Sequence, residues 1–381
     1  MARLSIYLPP FSPDYSGVAS SFFNLRAITV MHDASGCTGN YCSYDEPRWY
    51  GSHAATVCSA LREIDAVMGN DKKLVDNLIA ASEELRPQMI AIVASPVPMV
   101  VGCDTRGIAK EVEHKTGIPS FGFDTTGTRY YDFGVEWASR ELIGRFTKPA
   151  SGREGINLLG ADTLDFPLGT DYLVSLLEGD GLKVNAVMPA RTLEDVERLS
   201  GGTLSVVLSL SGLGTARLLE KQYGIPFLTG LPYGRKGEES FLSRVRKALD
   251  GEAGEEAVPS GDDVLIAGET VISQSVAAAL YLDYGLKSTV ASLYSDDRGI
   301  RRPGDLHVKT ELELIKLMRS GRWGCVIADP MVEKLRPQGA FIPLPAHTIS
   351  SKLNEGFSLF GEDFEEHIGC KCRERSLKNE K

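Results

Sequence analysis

The feature that most constrains this chain is a repeated alternation of short, continuously apolar runs with longer stretches of helical periodicity. The runs are Ala27–His32, Met89–Ala94, Ser120–Phe123, Ile156–Leu159, Leu182–Val187, Leu204–Ser209, Val264–Ala267, Lys287–Leu293 and Cys325–Ala328. Most are followed by about 10–15 residues whose apolar positions recur at helical spacing. A strand that is apolar on both faces needs cover on both faces, and helices inserted between successive strands supply it. The pattern therefore predicts an α/β fold of parallel sheets flanked by helices.

The units also resemble one another. Gly155-Ile-Asn-Leu-Leu-Gly160 leads through a helix to Gly181-Leu-Lys183, and Val264-Leu-Ile-Ala-Gly268 leads through a helix to Gly285-Leu-Lys287. Ile92–Ser95 precedes a helix ending Gly117-Ile-Pro119, and Val207–Ser209 precedes one ending Gly224-Ile-Pro226. Glycine just past the last helical residue accepts the left-handed conformation that stops a helix. Several Rossmann-like units are expected. Two polar segments divide them: Lys148–Gly155, and the acidic, aperiodic stretch Asp250–Asp263. The expected domains are 1–150, 151–250 and 260–350, with a C-terminal tail over 351–381 whose last stretch, Cys370–Lys381, is expected to be frayed and solvated.

Composition narrows the function. The 41 Lys and Arg against 51 Asp and Glu leave a net charge of −10, which disfavours sequence-independent binding to nucleic-acid phosphates. No apolar run is long enough to span a bilayer. Pro9-Pro10 interrupts the N-terminal segment before any signal-peptide core forms, so the expected location is the cytoplasm. An odd count of 7 Cys argues against a disulfide framework and leaves thiols open for metal binding. There is no GxxxxGK[ST] loop, no complete GxGxxG fingerprint and no GxSxG elbow.

The stretch with most chemistry runs from Met31 to His53, directly after a strand, and is dense in Gly, Cys, His and aromatic residues. Doubly wound folds place their sites beyond the carboxyl ends of strands. Cys37 and Cys42 lie on a Gly-rich segment, with Cys58 farther on. Thiolates are the usual iron–sulfur ligands. A buried structural thiol is the alternative for each, and Cys58 is expected on the core face of a helix after Ser52-His53. Gly36 is expected to let the backbone approach a bound group.

His32-Asp-Ala-Ser-Gly-Cys37 is similar to the His-Gly-Pro-x-Gly-Cys loop of the nitrogenase component 1 family, whose Cys ligates an iron–sulfur cluster. Ser95-Pro-Val-Pro-Met-Val-Val-Gly-Cys-Asp104 resembles the family's Cys-Pro-x-x-x-Ile-Gly-Asp-Asp stretch. Tyr223-Gly-Ile-Pro-Phe and Leu231-Pro-Tyr-Gly234 resemble its Tyr-Gly-Ile-Pro and Pro-x-Gly pair. The resemblance implies three Rossmann-like parallel-sheet domains around a central cleft. It further implies a dimer or tetramer, formed by the chain itself or with a related component 1 subunit. An iron–sulfur cluster, of the 4Fe–4S type, would lie near the subunit interface, and a separate ATP-dependent P-loop iron–sulfur reductase would deliver electrons.

On this resemblance Gly36, Cys37, Cys42 and Ser95 are the expected cofactor-binding residues. Cys37, Cys42 and Cys58 are the expected metal ligands. His347, near where the family's cleft closes over its prosthetic group, is the expected proton donor or contact to a further metallocofactor. The chain departs from the family at three places, the first being Leu8-Pro9-Pro10, which occupies the region where family members often carry an earlier cluster Cys. Ser95 stands where the family has Cys, and Leu208-Ser209 stands where nitrogenase α-type subunits carry a cofactor-binding Cys. A nitrogenase-type iron–molybdenum cofactor is therefore not expected. Two other roles compete with a reductase subunit: a scaffold on which a metallocofactor is assembled, and a cluster-free small-molecule binding protein.

Overall fold

The computed structural model describes residues 5–49, 54–69, 71–161, 169–252, 258–295, 299–353 and 357–376. Ser52-His53 of the Cys-containing stretch, residues 253–257 of the expected acidic linker and 377–381 of the expected tail lie outside the described residues. Three sheets are formed among the described residues, each flanked by helices.

The first sheet contains β1 (Ala27–His32), β2 (Ala55–Cys58), β3 (Met89–Ala94) and β4 (Ser120–Phe123), in the order β2-β1-β3-β4. All its pairings are parallel, with Ala27 opposite Met89 and Met31 opposite Cys58. The second sheet contains β5 (Ile156–Leu159), β6 (Val184–Met188), β7 (Leu204–Val207) and β8 (Phe227–Thr229), ordered β6-β5-β7-β8. The third contains β9 (Val264–Gly268), β10 (Ser288–Ser292), β11 (Leu306–His307), β12 (Cys325–Ala328) and β13 (Ala340–Pro343), ordered β11-β10-β9-β12-β13. In every sheet the earliest strand is interior, so the chain winds outward first to one side and then to the other. Such a reversal leaves a crevice at the carboxyl ends of the two central strands.

The expected strands are present, and four more accompany them: β2, β8, β11 and β13. All four are sheet edges. An edge strand is covered less completely, so its apolar signal is diluted, as the largely half-buried residues of β2 and β8 show. The glycines after the helices behave as expected. Gly117 and Gly224 sit at φ +71° and +63°, where an L side chain would be strained.

By its contacts the chain divides into two compact units. One comprises Phe11–Pro149 with Ala186–Leu199, and the other Met1–Pro10, Ala150–Asn185 and Ser200–Lys381. In the first unit, alternate residues of β1 and β3 (Ile28, Val30, Ile90, Ile92) pack on Leu74, Val75 and Leu78 of helix Asp71–Leu85 and on Ile108, Ala109 and Val112 of helix Thr105–Thr116. Asp104 caps the latter helix through Gly107 N–H at 2.9 Å. Helices Asp14–Phe22 and Tyr131–Phe146 cross closely because both are glycine at the contact. A Cβ on Gly17 would strike the Tyr131 carbonyl, and one on Gly134 would strike the Asp14 carbonyl.

Of the expected frayed stretch, the described part, Cys370–Ser376, is helical. Helix Cys370–Ser376 packs on β12 and β13. The physical reason is that Ile368 and Cys372 are fully buried, so apolar burial holds a segment that is otherwise strongly charged.

Candidate functional site

The site grows from the carboxyl ends of β1 and β3, the crevice of the first sheet. Ser95 N–H donates to the His32 carbonyl at 3.2 Å, which joins the two strand ends just past their last ladder pair. His32 Nδ1 lies 2.9 Å from Ser59 Oγ, so His32 is engaged with the turn after β2, and burial pushes its pKa down. Asp33 then organises the following turn. Its Oδ2 accepts from Ser35 N–H at 2.9 Å and Thr38 N–H at 3.1 Å. Burial works against the Asp33 charge. The Thr38 N–H, Ser95 hydroxyl and Ser35 and Ala34 N–H groups outweigh it and hold the carboxyl below its ordinary range.

That turn feeds a short helix, Gly36–Asn40, which continues as a π-type turn over Tyr41–Asp45. The Cys segment is therefore helical where an open Gly-rich loop was expected. The left-handed residue is Ser35, at φ +115°, and not Gly36. Gly36 instead borders open space: a Cβ there would meet no atom within 4 Å.

Cys37 is half-buried. Its thiol lies against the buried Tyr15 hydroxyl, a contact helix Asp14–Phe22 supplies from the opposite side of the turn. Burial pushes the Cys37 pKa up. The neighbouring Tyr15 and Ser95 hydroxyls pull it back, and the nearby Asp33 and Asp45 charges push it up further. Asp45 is buried on the same side, accepting from Ser12 Oγ and Asn40 Nδ2 at 3.0 Å each and from Ser16 Oγ. Burial raises its pKa above the ordinary carboxylate value.

Ser95 is fully buried, and its hydroxyl makes no hydrogen bond of ordinary geometry, although it is close enough to influence both Asp33 and Cys37. It occupies the N-cap position of helix Pro96–Val100 without capping it. A buried, unsatisfied hydroxyl is costly and is retained most readily where a ligand uses it.

The other expected ligands are placed differently. Cys42 is half-buried on the π-type turn. Cys58 is the last residue of β2 and not part of a helix. Its Sγ donates to the Asp33 carbonyl at 3.5 Å and accepts from Ala60 N–H at 3.3 Å, so it is engaged in the turn. Cys103 packs against the sheet core, and burial with nearby Asp71 pushes its pKa up to about 12. His347 belongs to the other compact unit. It is buried at the start of helix His347–Ser350, whose entry is held by Asp329 Oδ2 accepting from Ala346 N–H at 2.8 Å. Among the described residues no three His, Cys, Asp or Glu side chains are grouped to hold a metal ion.

The donor set therefore fits an iron–sulfur group only in part. A thiol at Cys37, an orphan hydroxyl at Ser95 and the open face at Gly36 suit one side of such a group, and the remaining ligands are missing among the described residues of this chain. Tyr15 and Asp33 were not singled out in the sequence, whereas Asp45 was, as part of a polar cluster with Glu46, Arg48 and Trp49 after the Cys segment. Asp33 sits inside the recognised motif and could have been, but nothing local to Tyr15 marks it as a neighbour of Cys37.

The family model for nitrogenase component 1 type oxidoreductases matches residues 25–267, well over half of the chain. The chain belongs to the nitrogenase component 1 type oxidoreductase family. Within that family it is similar to the nitrogenase iron-molybdenum cofactor biosynthesis protein NifE of Sinorhizobium fredii, at 29% identity over 64% of this chain and 51% of the relative. It is also similar to a light-independent protochlorophyllide reductase subunit of Angiopteris evecta, at 25% identity over 63% of this chain and 50% of the relative. The chain thus spans about half the length of the curated relatives it matches.

Among solved structures, a chain described as nitrogenase Cp1 at pH 6.5 superposes with a TM-score of 0.72 at 12% identity, covering 100% of this chain and 95% of that one. This likeness bears out the α/β fold of three parallel sheets. In this family member the matched region includes both strand ends, β1 and β3, that carry Cys37 and Ser95. No helix among the described residues is long and apolar enough to cross a membrane.

Proposed function

We propose that this protein is a nitrogenase component 1-like subunit of an iron–sulfur-dependent reductase. The observation that carries the reading is Cys37 beside the orphan Ser95 hydroxyl at the crevice of the first sheet. Cys37 would ligate the cluster as thiolate, with Ser95 behind it and Gly36 leaving the backbone open. Bound there, an iron–sulfur cluster would supply one-electron transfer. Asp33 locks the turn, and Tyr15 donates toward the Cys37 sulfur. Binding releases the thiol proton.

The reading includes a second subunit, either this chain again or a related component 1 protein, because the ligand set is incomplete here. Exposed apolar side chains support it. Tyr44, Ile64, Val67, Met68, Val97, Val100 and Val101 all lie on segments leaving the carboxyl ends of β1, β2 and β3. Val100 is 86% exposed and Val67 76%. The reading also takes in Cys42 and Cys58 as further thiols near the site, His347 as a proton-handling residue, domains at 1–150, 151–250 and 260–350, a cytoplasmic location, and an ATP-dependent P-loop iron–sulfur reductase as electron donor. A scaffold role in metallocofactor assembly is the second reading, favoured by the likeness to the cofactor biosynthesis protein.

The test is anaerobic purification of the full chain with its partner, comparing iron and acid-labile sulfide in wild type and Cys37→Ala. Wild type is expected to carry both and Cys37→Ala to lose most of each. Equal content in the two sinks the ligand assignment. ATP-dependent turnover with the reductase then separates a reductase from a scaffold.

A further inference from the structure

A second pair of thiols lies in the other compact unit. Cys372, on helix Cys370–Ser376, places its Sγ 3.9 Å from Cys325 Sγ, at the start of β12. Both side chains are fully buried. The two sulfurs are in van der Waals contact, and no other element separates them. Side-chain rotation and a small shift of a peripheral helix are what remain between this arrangement and a bond of about 2.05 Å. Just before this helix the chain passes close to Tyr284: a Cβ on Gly369 would strike its ring and hydroxyl. Phe364, Glu365 and Arg373 from the same segment wall a cavity of about 470 Å³ beside Gly234 and Tyr284.

We propose that Cys325 and Cys372 form a peroxide-responsive dithiol site whose oxidation fastens the C-terminal helix to the third sheet. Hydrogen peroxide is the oxidant class the site takes, because transient opening of one short helix admits a small molecule but not a bulky disulfide. The Cys372 thiolate attacks one peroxide oxygen. The O–O bond breaks, the sulfur is oxidised to sulfenic acid, and the leaving hydroxide takes the thiol proton to become water. The Cys325 thiolate then attacks the sulfenic sulfur. The S–S bond forms, the S–O bond breaks, and the leaving hydroxide with the second thiol proton becomes a second water. Two thiols and one peroxide thus give one disulfide and two waters. The bond closes the chain from residue 325 to residue 372 and holds in place the wall of the cavity. Cys370, two residues away and exposed, is the internal comparison: it meets peroxide freely but faces no second thiol among the described residues.

The experiment treats the folded full chain with graded hydrogen peroxide, blocks remaining thiols with an alkylating reagent, and maps peptides without reduction. The expected product is a peptide pair joined through Cys325 and Cys372, reversed by a thiol reductant. It should come with slower proteolysis of the C-terminal segment and a higher melting temperature. Cys372→Ser should lose the link and the protection. Cys370→Ser should keep both. Cys372→Ala, which retains an apolar side chain, covers the case in which Ser disturbs folding. Three outcomes overturn the proposal: both thiols recovered alkylated while Cys370 is oxidised, a link to any other cysteine, or a link that forms only in denaturant.

Discussion

Ser95 shows how a single buried atom can carry functional information. Most hydroxyls in the interior are satisfied: Thr125 Oγ1 donates to the Ala94 carbonyl and Ser209 Oγ to the Gly160 carbonyl. Ser95, like Ser139, Ser205, Ser273, Ser288 and Ser351, makes no such bond, but it alone of these stands beside Cys37; leaving a buried hydroxyl unsatisfied costs about 1–3 kcal/mol. Ser95→Ala is therefore expected to leave the cluster-free chain as stable as wild type or more stable by up to about 1 kcal/mol. The same change should reduce the iron retained after anaerobic purification. Denaturant titration of the cluster-free chain and iron analysis of the loaded one read the two effects separately. A clear loss of stability without iron would make Ser95 a structural residue.

At the scale of elements, close packing depends on which residues lack a side chain. The crossing of helices Asp14–Phe22 and Tyr131–Phe146 brings Tyr15 to Cys37, and Gly134 permits it. Gly134→Ala is expected to destabilise the fold by about 1–3 kcal/mol through overpacking. It should also move Tyr15 away from the Cys37 thiol, read as a changed Cys37 alkylation rate alongside the denaturation midpoint. A second element-scale contact is made by Glu311, at the first turn of helix Glu311–Met318. Its carboxylate accepts the N–H groups of Ile6, Tyr7 and Leu8 at 2.9–3.2 Å. Burial opposes the charge, but these three donors hold the Glu311 pKa below the ordinary glutamate value. A carboxyl lowered on folding adds stability above its unfolded pKa and loses that contribution as pH falls through the folded value. Amide protection at residues 6–8 is therefore expected at neutral pH and lost below about pH 4. Glu311→Gln should show weaker protection at neutral pH and little further change on acidification. Hydrogen exchange measured across that range checks it, and equal pH dependence in the two proteins would contradict the assignment.

At the scale of the molecule, the exposed apolar residues beyond β1, β2 and β3 are the feature a lone chain leaves unexplained. Helix Glu63–Met68 buries none of its residues, and Met68 is 72% exposed. Exposed apolar side chains of this kind are what the proposed assembly would cover. Val100→Asp combined with Met68→Lys is expected to dissociate the assembly while changing the stability of the fold by no more than about 0.5 kcal/mol, as for other surface substitutions. Light scattering with thermal melting tests both. An unchanged assembly mass would remove this surface from the interface.

Much of the fold was legible in the sequence. The interior strands β1, β3, β5, β7, β9, β10 and β12 are buried on both faces, and their largely apolar pattern is local, so it can be read without a structure. The helix-ending glycines are legible for the same reason, because left-handed backbone is a property of one residue. The placement of Cys37 and Ser95 just past the ends of β1 and β3 was legible through their motifs. Of the six edge strands among the described residues, β4 and β6 were legible but β2, β8, β11 and β13 were not, since partial cover leaves no continuous apolar run. Cys58 was expected on a helix because its weakly apolar strand becomes a strand only by pairing with β1. Tyr15 beside Cys37, the orphan state of Ser95 and the Cys325–Cys372 contact arise from segments far apart in the chain. Local preference determines which segments are strands and helices. Which side chains then meet is decided by packing, which minimises voids and unsatisfied groups over the whole interior at once.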